Sequence, residues 1–324
     1  MIETRSRWGE LVKGVGIQIL EAIDQGAELY TPGISALLKM ESSDVGQKSF
    51  TGKVSDYRLT RKDEGESTDE FTRYKTYVTQ IDYSAYSRKI TISRELLMDR
   101  EFAAEMDEAT DIGRLSNFSQ DEAGLQLFNG GFSTRKDNIL GYRYQYYADT
   151  VPTFSTLHPS VVPGVSTQSN ASSTGLVLSD ANLETARLAL RRQLTDAGGP
   201  MIMGGAETLV LPLALEKTGR QITESERIPN ATNNNEINIY QGSVNMTTSV
   251  LFDAVNSGSN TAWFLVVPGA TKFVHDTREG MQPWTEVDED KKTLTVGIYG
   301  RWANYTKDWR RAYGSRGDGA GYAA

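Results

Sequence analysis

The segment "KSFTGKVSDYRLTRKDEGESTDEFTRYKTYVTQIDYSAYSRKITI", residues 48–92, decides the fold. Its flanks, residues 48–60 and 71–92, are rich in Thr, Tyr, Val and Ile and alternate partly with a period of two, which predicts β-strands. The polar stretch between them, "RKDEGESTDE", predicts a turn, so the segment should form a long hairpin with a charged tip. An isolated two-stranded ribbon is at best marginally stable in water. Because the outer part of this hairpin has few apolar side chains, we expect something outside the chain's own core to hold it.

Helical periodicity is visible on both sides of the hairpin. Residues 6–27 place apolar side chains at spacings of three, four and seven, which predicts an arm helix that needs a partner to dock against. Ser93 is expected to cap a short helix, and residues 101–128 predict a rod-like helix of roughly 42 Å. "NGG" at 129–131 should end it through a left-handed glycine. The apolar stripe of the arm comprises Trp8, Leu11, Val12, Val15, Ile19 and Ile23.

The second half of the chain predicts a mixed layer of helices and strands. Residues 141–178 combine aromatic residues with a Ser/Thr/Pro/Gly-rich segment, which is typical of a crossing between domains. "LSDANLETARLALRRQLTDAGGP", residues 178–200, predicts a helix capped by Ser179 or Asp180. Strands and a helix follow up to residue 270, and residues 271–315 predict strands and a further long hairpin. The fold class is therefore α+β. The stripe expected to be buried in the 178–200 helix is Leu183, Ala186, Leu190 and Leu194.

Composition excludes several classes of protein. The 34 basic and 42 acidic residues give a net charge of −8, and no basic block is present, so tight sequence-specific binding of nucleic acid is not expected. The absence of cysteine excludes disulfides, thiolate metal sites and cysteine nucleophiles. No apolar run approaches the roughly 20 residues needed to span a bilayer. We expect a soluble chain made in the cytoplasm.

Only two histidines are available for catalysis or metal binding. Ser155 and His158 lie in "FSTLHP", residues 154–159, but a hydrolase also needs a third member and an oxyanion pocket, and no G-x-S-x-G elbow is present. His275 lies in a strand-like run and is expected to make a hydrogen bond. The sequence predicts no catalytic, cofactor-binding or metal-binding residue, although a hydrolase using Ser155 and His158 remains an alternative.

Two further motifs resemble a calcium site and a receptor-binding site, but neither assignment is favoured. The acidic run Glu286, Asp288, Glu289 and Asp290 lacks the glycine and the spacing of a calcium loop, so it predicts a solvated turn. The triplet Arg316-Gly317-Asp318 matches a cell-adhesion motif, and an adhesin is a third alternative. Because no export signal precedes it, the triplet is interpreted as a coincidence.

The order of arm helix, charged-tip hairpin, rod helix, linker, α/β layer and return strands resembles the major capsid proteins of tailed bacteriophages. Their shell fold is shared with encapsulins and the herpesvirus floor. Several segments are similar in order and character, closest to Mu-like head subunits. These segments are "TISRELLMD", "QDEAGLQLFNGG", "FSTLHPS", "LSDANLETARLALRRQLTDAGGPM", "ETLVLPLALEKTGRQI", "NNNEINIYQG" and "AWFLVVPG".

The resemblance implies a division of the chain into named parts. They are an N-arm at 1–37, an extended loop hairpin at 38–82, a peripheral domain at 83–140 and 271–315 with its spine helix near 101–128, a linker at 141–174, an axial domain at 175–270 and a flexible tail at 316–324. In this family, His158 would be an architectural residue in the connection between the two domains. The resemblance thus places nearly the whole chain in a tailed-phage capsid shell fold.

The resemblance also implies a structural protein and not an enzyme. Copies would form the pentamers and hexamers of an icosahedral shell around double-stranded DNA, in a virion capsid assembled in the bacterial cytoplasm. No cofactor and no membrane are implied. The partners would be other copies, a separate scaffold protein, a portal, decoration proteins in some cases, and DNA held by weak nonspecific contacts. The alternative within the same fold is the shell protein of an encapsulin-like nanocompartment.

Inter-subunit contacts are expected at the hairpin tip and along the arm. The candidate residues are Arg61, Lys62, Asp63, Glu64, Glu66, Asp69 and Glu70 at the tip, and Trp8, Val15 and Ile19 on the arm. Some members of the family crosslink a loop lysine to a neighbour's asparagine. Lys48, Lys53 and Lys62 are available for this, but no motif selects one of them, so no crosslink is assigned.

Overall fold

The fold is described from a computed structural model. It describes residues 3–55, 59, 61–68, 70, 73–99, 102–133, 140–145, 149–201, 204–227 and 237–322. Within these ranges the helices are α1 (Glu3–Glu28), α2 (Ile34–Leu37), α3 (Arg94–Asp99), α4 (Ala103–Asn129), α5 (Asp180–Arg191) and α6 (Glu216–Thr223). Short 3-10 helices lie at Gly130–Phe132, Leu213–Leu215, Val250–Phe252 and Ala254–Asn256. No described helix has the length and apolar character required to cross a membrane.

The strands described form three sheets. They are β1 (Lys39–Ser42), β2 (Gln47–Ser55), β3 (Arg73–Asp82), β4 (Ser84–Ser93), β5 (Tyr144–Gln145), β6 (Glu207–Leu211), β7 (Val244–Thr248), β8 (Trp263–Val266), β9 (Phe273–Asp288), β10 (Thr293–Thr306) and β11 (Ala312–Ser315). Five belong to one sheet in the order β1-β9-β10-β4, with β5 also paired to β10. Four form the sheet β11-β8-β6-β7, and β2 pairs with β3 alone. The mixture of helices and strands agrees with the expected α+β class.

The segment 71–92, for which the sequence predicts strand character, is divided between two strands. The break lies at the boundary of residues 82 and 83, where the resemblance ends the extended loop. The chain turns at Tyr83, so that β3 pairs with β2 while β4 pairs with β10 in the five-stranded sheet. Tyr83 is buried, and its hydroxyl donates to Asp276 Oδ2 at 2.9 Å. Strand periodicity alone did not indicate this break, which a buried tyrosine anchors.

Helix α4 spans almost the whole predicted rod and packs against the five-stranded sheet through Phe128 and Trp302. Its predicted ending is wrong in one respect. Gly130 has φ −77°, so the chain tightens into a 3-10 turn and does not close through a left-handed glycine. Gly131 is needed for a different reason, since a β-carbon there would lie 2.6 Å from the Phe154 ring.

Helix α5 begins as predicted, because the Ser179 side chain accepts a hydrogen bond from the Asn182 amide. It ends earlier than predicted, at Arg191. Leu194 consequently lies beyond the helix and is 37% exposed, so its assignment to the buried stripe is wrong. The helix packs on the four-stranded sheet through Leu183 and Leu190, both fully buried.

The C-terminal segment differs from the predicted division of the chain. Strand β11 pairs with β8, so the sheet of the predicted axial domain is completed by residues assigned to the peripheral domain. The chain continues along the body to Tyr322, whose hydroxyl donates to the carbonyl of Phe154 at 2.6 Å. Gly175 and the tail also exchange backbone hydrogen bonds, from Gly175 to Ala320 and from Gly319 to Gly175. Residues up to Tyr322 are thus hydrogen-bonded to the body of the chain, which differs from the flexible tail expected at 316–324.

Candidate assembly surfaces

The tip of the front hairpin lies outside the cores of its own chain. Residues 61–68 and 70 are all exposed, and Leu59 is 92% exposed. Arg61 pairs with Asp63 at 3.1 Å, and the Asp63 amide donates to the Glu66 carboxylate at 3.3 Å. Such exposed contacts contribute only about 0–1 kcal/mol each. The tip therefore has charges of both signs available for a neighbouring molecule.

The predicted tip residues can be placed with one exception. Arg61, Lys62, Asp63, Glu64, Glu66 and Glu70 lie on this exposed surface. Asp69 lies outside the described residues. Their role in inter-subunit contact remains a prediction.

The base of the hairpin, in contrast, contacts its own chain. Ile81 is fully buried and packs in a small cluster with Val274 and Tyr305. Lys48 of β2 reaches Asp276 Oδ2 at 2.9 Å. The hairpin thus divides into a base that contacts its own chain and a tip whose described residues are exposed. The sequence indicated the exposed tip but not the anchoring of the base.

The arm helix α1 docks on its own chain. Val15 is 8% exposed and Ile19 is fully buried, and both pack with Ile112 of α4 and Val296 of β10. In this arrangement their apolar stripe is occupied within the chain, which differs from the expected contact with a neighbour. The side chain of Trp8 lies outside the described residues.

His158 lies at the junction between the two larger sheets and is 1% exposed. Its Nδ1 lies 2.7 Å from Asp149 Oδ2, its Nε2 lies 3.1 Å from Asn170 Oδ1, and its ring stacks on Trp309 at 4.0 Å. Both ring nitrogens are therefore engaged away from Ser155, whose Oγ accepts from the Leu157 amide. This geometry fits the architectural role and leaves no free nitrogen to act as a base for Ser155.

The adhesion-like triplet is held in a closed geometry. Arg316 Nη2 pairs with Asp318 Oδ2 at 2.9 Å, so the two charges of the motif neutralise each other. Gly317 is buried, with φ +64°. The triplet is consequently a structural turn of the tail and does not present separate charges to a receptor.

The acidic run spans the end of β9, with Glu286 and Asp288, and the turn into β10, with Glu289 and Asp290. Asp288 Oδ1 accepts the backbone amides of Asp290 and Lys291 at 3.0 and 2.9 Å. Glu289 pairs with Lys292 at 3.0 Å. These carboxylates are thus engaged by neighbouring backbone and lysine groups in an exposed turn, as the solvated-turn interpretation predicts.

Buried ion pairs inside the fold were not predicted from the sequence. Glu207 of β6 is 4% exposed and receives Arg187 Nε at 2.6 Å and Arg191 Nε at 2.5 Å. The Arg187 guanidinium also lies over the Tyr240 ring at 5.0 Å. The helical spacing of the two arginines placed them on one face of α5, but only the tertiary structure identifies the carboxylate that they bind.

Comparisons with known proteins agree with this architecture. The family model described as "Phage capsid protein" matches residues 77–315, which is most of the chain. The capsid of a native GTA particle aligns with a TM-score of 0.55 and 12% identity, over 91% of this chain and 92% of that one. The Mycobacterium phage Patience structure aligns with a TM-score of 0.54 and 14% identity, over 98% of this chain and 89% of that one. The mature capsid of bacteriophage PhiM1 aligns with a TM-score of 0.53 and 12% identity, over 88% of this chain and 86% of that one. No curated protein matches the chain.

Proposed function

The chain belongs to the phage capsid protein family, and from this premise we propose that it is the major head protein whose copies form the pentamers and hexamers of an icosahedral shell around double-stranded DNA. The observation that carries the proposal is the two-stranded hairpin, whose described tip residues are all exposed. A ribbon of this kind gains stability when it lies across another surface. In a shell, that surface belongs to a neighbouring copy.

The work of such a protein is mechanical and not catalytic. The ring nitrogens of His158 are engaged by Asp149 and Asn170, which supports a structural role for the strongest candidate catalytic residue. Obligate assemblies bury more than the roughly 1,600 Å² of an ordinary complex. Much of the stability of the subunit would therefore come from the lattice.

The charges of the chain suit the same role. A net charge of −8 disfavours tight contact with phosphates, so packaged DNA would be held weakly and nonspecifically. Charged side chains at the tip would set the register against complementary groups on the neighbour. The remaining partners would be a scaffold protein, a portal and decoration proteins, with assembly in the host cytoplasm and the virion capsid as the final location.

Replacing residues 59–70 by a two-residue Asn-Gly turn tests the proposal. We expect the shortened subunit to keep the thermal midpoint of the full chain, since the described residues of this segment are exposed. We also expect it to form no closed particles in negative-stain electron microscopy. The control is Lys62→Ala, which removes one exposed charge and should still assemble.

Normal particles from the shortened subunit would contradict the proposed function. In particles of the unaltered chain, nuclease-protected double-stranded DNA is the expected content. An enclosed protein cargo without DNA would instead support the nanocompartment alternative.

A further inference from the structure

Asp276 of β9 is a fully buried carboxylate at the base of the hairpin. Its Oδ2 accepts hydrogen bonds from three elements, namely from Lys48 of β2, Tyr83 of the β3–β4 turn and Tyr305 of β10, each at 2.9 Å. Its Oδ1 has no hydrogen-bond partner among the described residues. Within the same residues, Lys48 is the one cation paired with it. Because a buried charge requires compensation, Lys48 is important for the stability of this carboxylate.

A second carboxylate, Glu41, makes the stability of this part of the sheet depend further on the charge of Lys48. The parallel register of β1 and β9 places Glu41 directly opposite Asp276. Like charges opposite each other destabilise a sheet. Lys48 Nζ lies 3.2 Å from Glu41 Oε2 as well as 2.9 Å from Asp276, so it bridges the two acids. Lys307 and Lys39 bind the other oxygen of Glu41, at 2.6 and 3.1 Å.

The ionisation of these groups favours an ion pair. Burial alone would raise the pKa of Glu41, but its hydrogen bonds with Lys307, Lys39 and Lys48 and the charge of Lys307 together outweigh burial and lower that pKa to about 2. Burial opposes the charge of Lys48, but hydrogen bonds to Asp276 and Glu41 outweigh it and raise the pKa of the ammonium. Burial and the neighbouring Asp276 raise the pKa of the Tyr305 hydroxyl, which therefore stays a donor.

Beyond Lys48 the hairpin contacts the body only in part. Val54 of β2 is 9% exposed, and the Lys307 ammonium lies 5.6 Å from the centre of the Phe50 ring. A cleft of about 530 Å³ separates its inner face from the body. The hairpin lines this cleft with Phe50, Val54 and Thr76, and the body lines it with Lys272 and Lys307, among others. The hairpin thus meets the body partly across a cleft, and among the described residues the ion pairs that join the two are those of Lys48, near its base.

We propose that Lys48 is a reversible ionic latch, which fixes the angle of the hairpin in the single subunit and releases β2 when its ion pairs are broken. The apolar base around Ile81 holds β3 in place. Opening of β2 therefore also loosens its pairing with β3, in which Lys48 lies opposite Ile81. The latch acts within one chain and does not depend on the proposed function. It gives the hairpin a defined starting position from which it can move to another surface.

Lys48→Met tests the latch, because methionine keeps much of the length of the side chain without its charge. We expect the backbone amides of β2 in the unassembled subunit to exchange with deuterium at least about tenfold faster, while those of α4 keep their rate. The matched control is Lys75→Met. Lys75 lies exposed on β3, and no ion pair joins it to any residue that the structure describes. Its substitution should leave exchange unchanged.

The double variant Lys48→Met/Asp276→Asn covers the case in which an isolated buried carboxylate prevents folding. It removes both charges, and it should show the same fast exchange in β2 as the single variant. Unchanged exchange of β2 in the folded double variant would overturn the latch. An intact mass of the natural chain that is lower by one water would also overturn it, because Lys48 and Asp276 would then be joined by a covalent amide.

Discussion

Gly113 of α4 lies against the backbone carbonyl of Ile23 in α1, where a β-carbon would collide with that oxygen. The relationship is reciprocal, because a β-carbon on Gly26 of α1 would collide with the carbonyl of Thr110 in α4. Each helix thus presents a glycine to the backbone of the other. This close approach fixes where the arm helix docks and brings its stripe onto the core.

Gly113→Ala is expected to destabilise the subunit. The added methyl forces the two helices apart, and overpacking of this kind costs roughly 1–3 kcal/mol. The higher helix propensity of alanine offsets up to about 1 kcal/mol of that cost. Urea unfolding measures the difference. The control is Gly14→Ala, where no atom lies within 4 Å and a gain of up to about 1 kcal/mol is expected. Equal stabilisation by both substitutions would disprove the close approach.

Local patterns predicted the helices well and their crossing poorly. Periodicity identified α1, α4 and α5 because an apolar stripe is a property of neighbouring residues. Four glycines lie inside the predicted arm, and nothing in the sequence distinguishes Gly26, which makes the contact with α4, from Gly9, Gly14 and Gly16, which have no atom within 4 Å of a β-carbon position. Periodicity shows which residues are helical but not where two helices meet. The same limit explains Tyr83, since strand propensity continues across a turn that only the choice of partner strand creates.

At the candidate assembly surfaces, too, the sequence predicted one part of the hairpin and not the other. The polar composition of the tip predicted its exposure, because side chains of this type do not bury without partners. The anchoring of the base was not predictable, since Lys48 and Asp276 are 228 residues apart in the chain. A lysine in a strand gives no signal of the carboxylate that it will meet. Long-range ion pairs of this kind are visible only once the sheets are assembled.

The stability of the subunit should fall in mild acid through His275. This residue is fully buried, and its Nδ1 lies 2.7 Å from Asn304 Oδ1. Burial lowers the pKa of the imidazole below its ordinary 6.5, although the hydrogen bond to Asn304 and the charge of Asp276 oppose the shift. Below pH 6.5 the unfolded chain therefore binds a proton that the folded chain does not, so stability decreases as pH falls.

His275→Gln checks this dependence, because glutamine can keep a hydrogen bond to Asn304 but does not titrate. Denaturant unfolding between about pH 7.5 and pH 5 should give a shallower loss of stability for the variant, by up to about 1.4 kcal/mol per pH unit. Carboxylates contribute equally to both proteins. Parallel pH profiles for the variant and the unaltered chain would show that His275 takes no part.

Replacing His158 should destabilise the junction between the two larger sheets, and no enzymatic activity should be lost with it. His158→Leu leaves the buried groups Asp149 and Asn170 without their imidazole partner, and breaking a buried pair of this kind costs about 3–5 kcal/mol. Ser155→Ala removes a single hydroxyl and should cost about 0.5–1.5 kcal/mol. Thermal unfolding measures both. A hydrolase would lose ester hydrolysis in both variants, so a purified chain whose turnover disappears with either substitution would refute the structural role.

The tail beyond β11 should detach when Gly317 gains a side chain. Gly317 has φ +64°, and a β-carbon there would collide with the carbonyl of Thr261. Gly319 is the matched control, because it has φ +68° but no atom within 4 Å of its β-carbon position. Backbone strain destabilises both Gly317→Ala and Gly319→Ala by about 1–2 kcal/mol. Only Gly317→Ala is destabilised further by the collision with Thr261. The difference between the two variants therefore measures the anchoring of the tail.

Amide exchange at Gly175 provides the readout, since its N–H donates to the carbonyl of Ala320 at 2.8 Å. We expect this amide to exchange several-fold faster in Gly317→Ala than in Gly319→Ala, because the tail must move away from Thr261 and break that bond. Tyr322 should also lose its hydrogen bond to the Phe154 carbonyl and become accessible to solvent. Identical exchange in the two variants would show that the tail does not depend on its packing at Gly317.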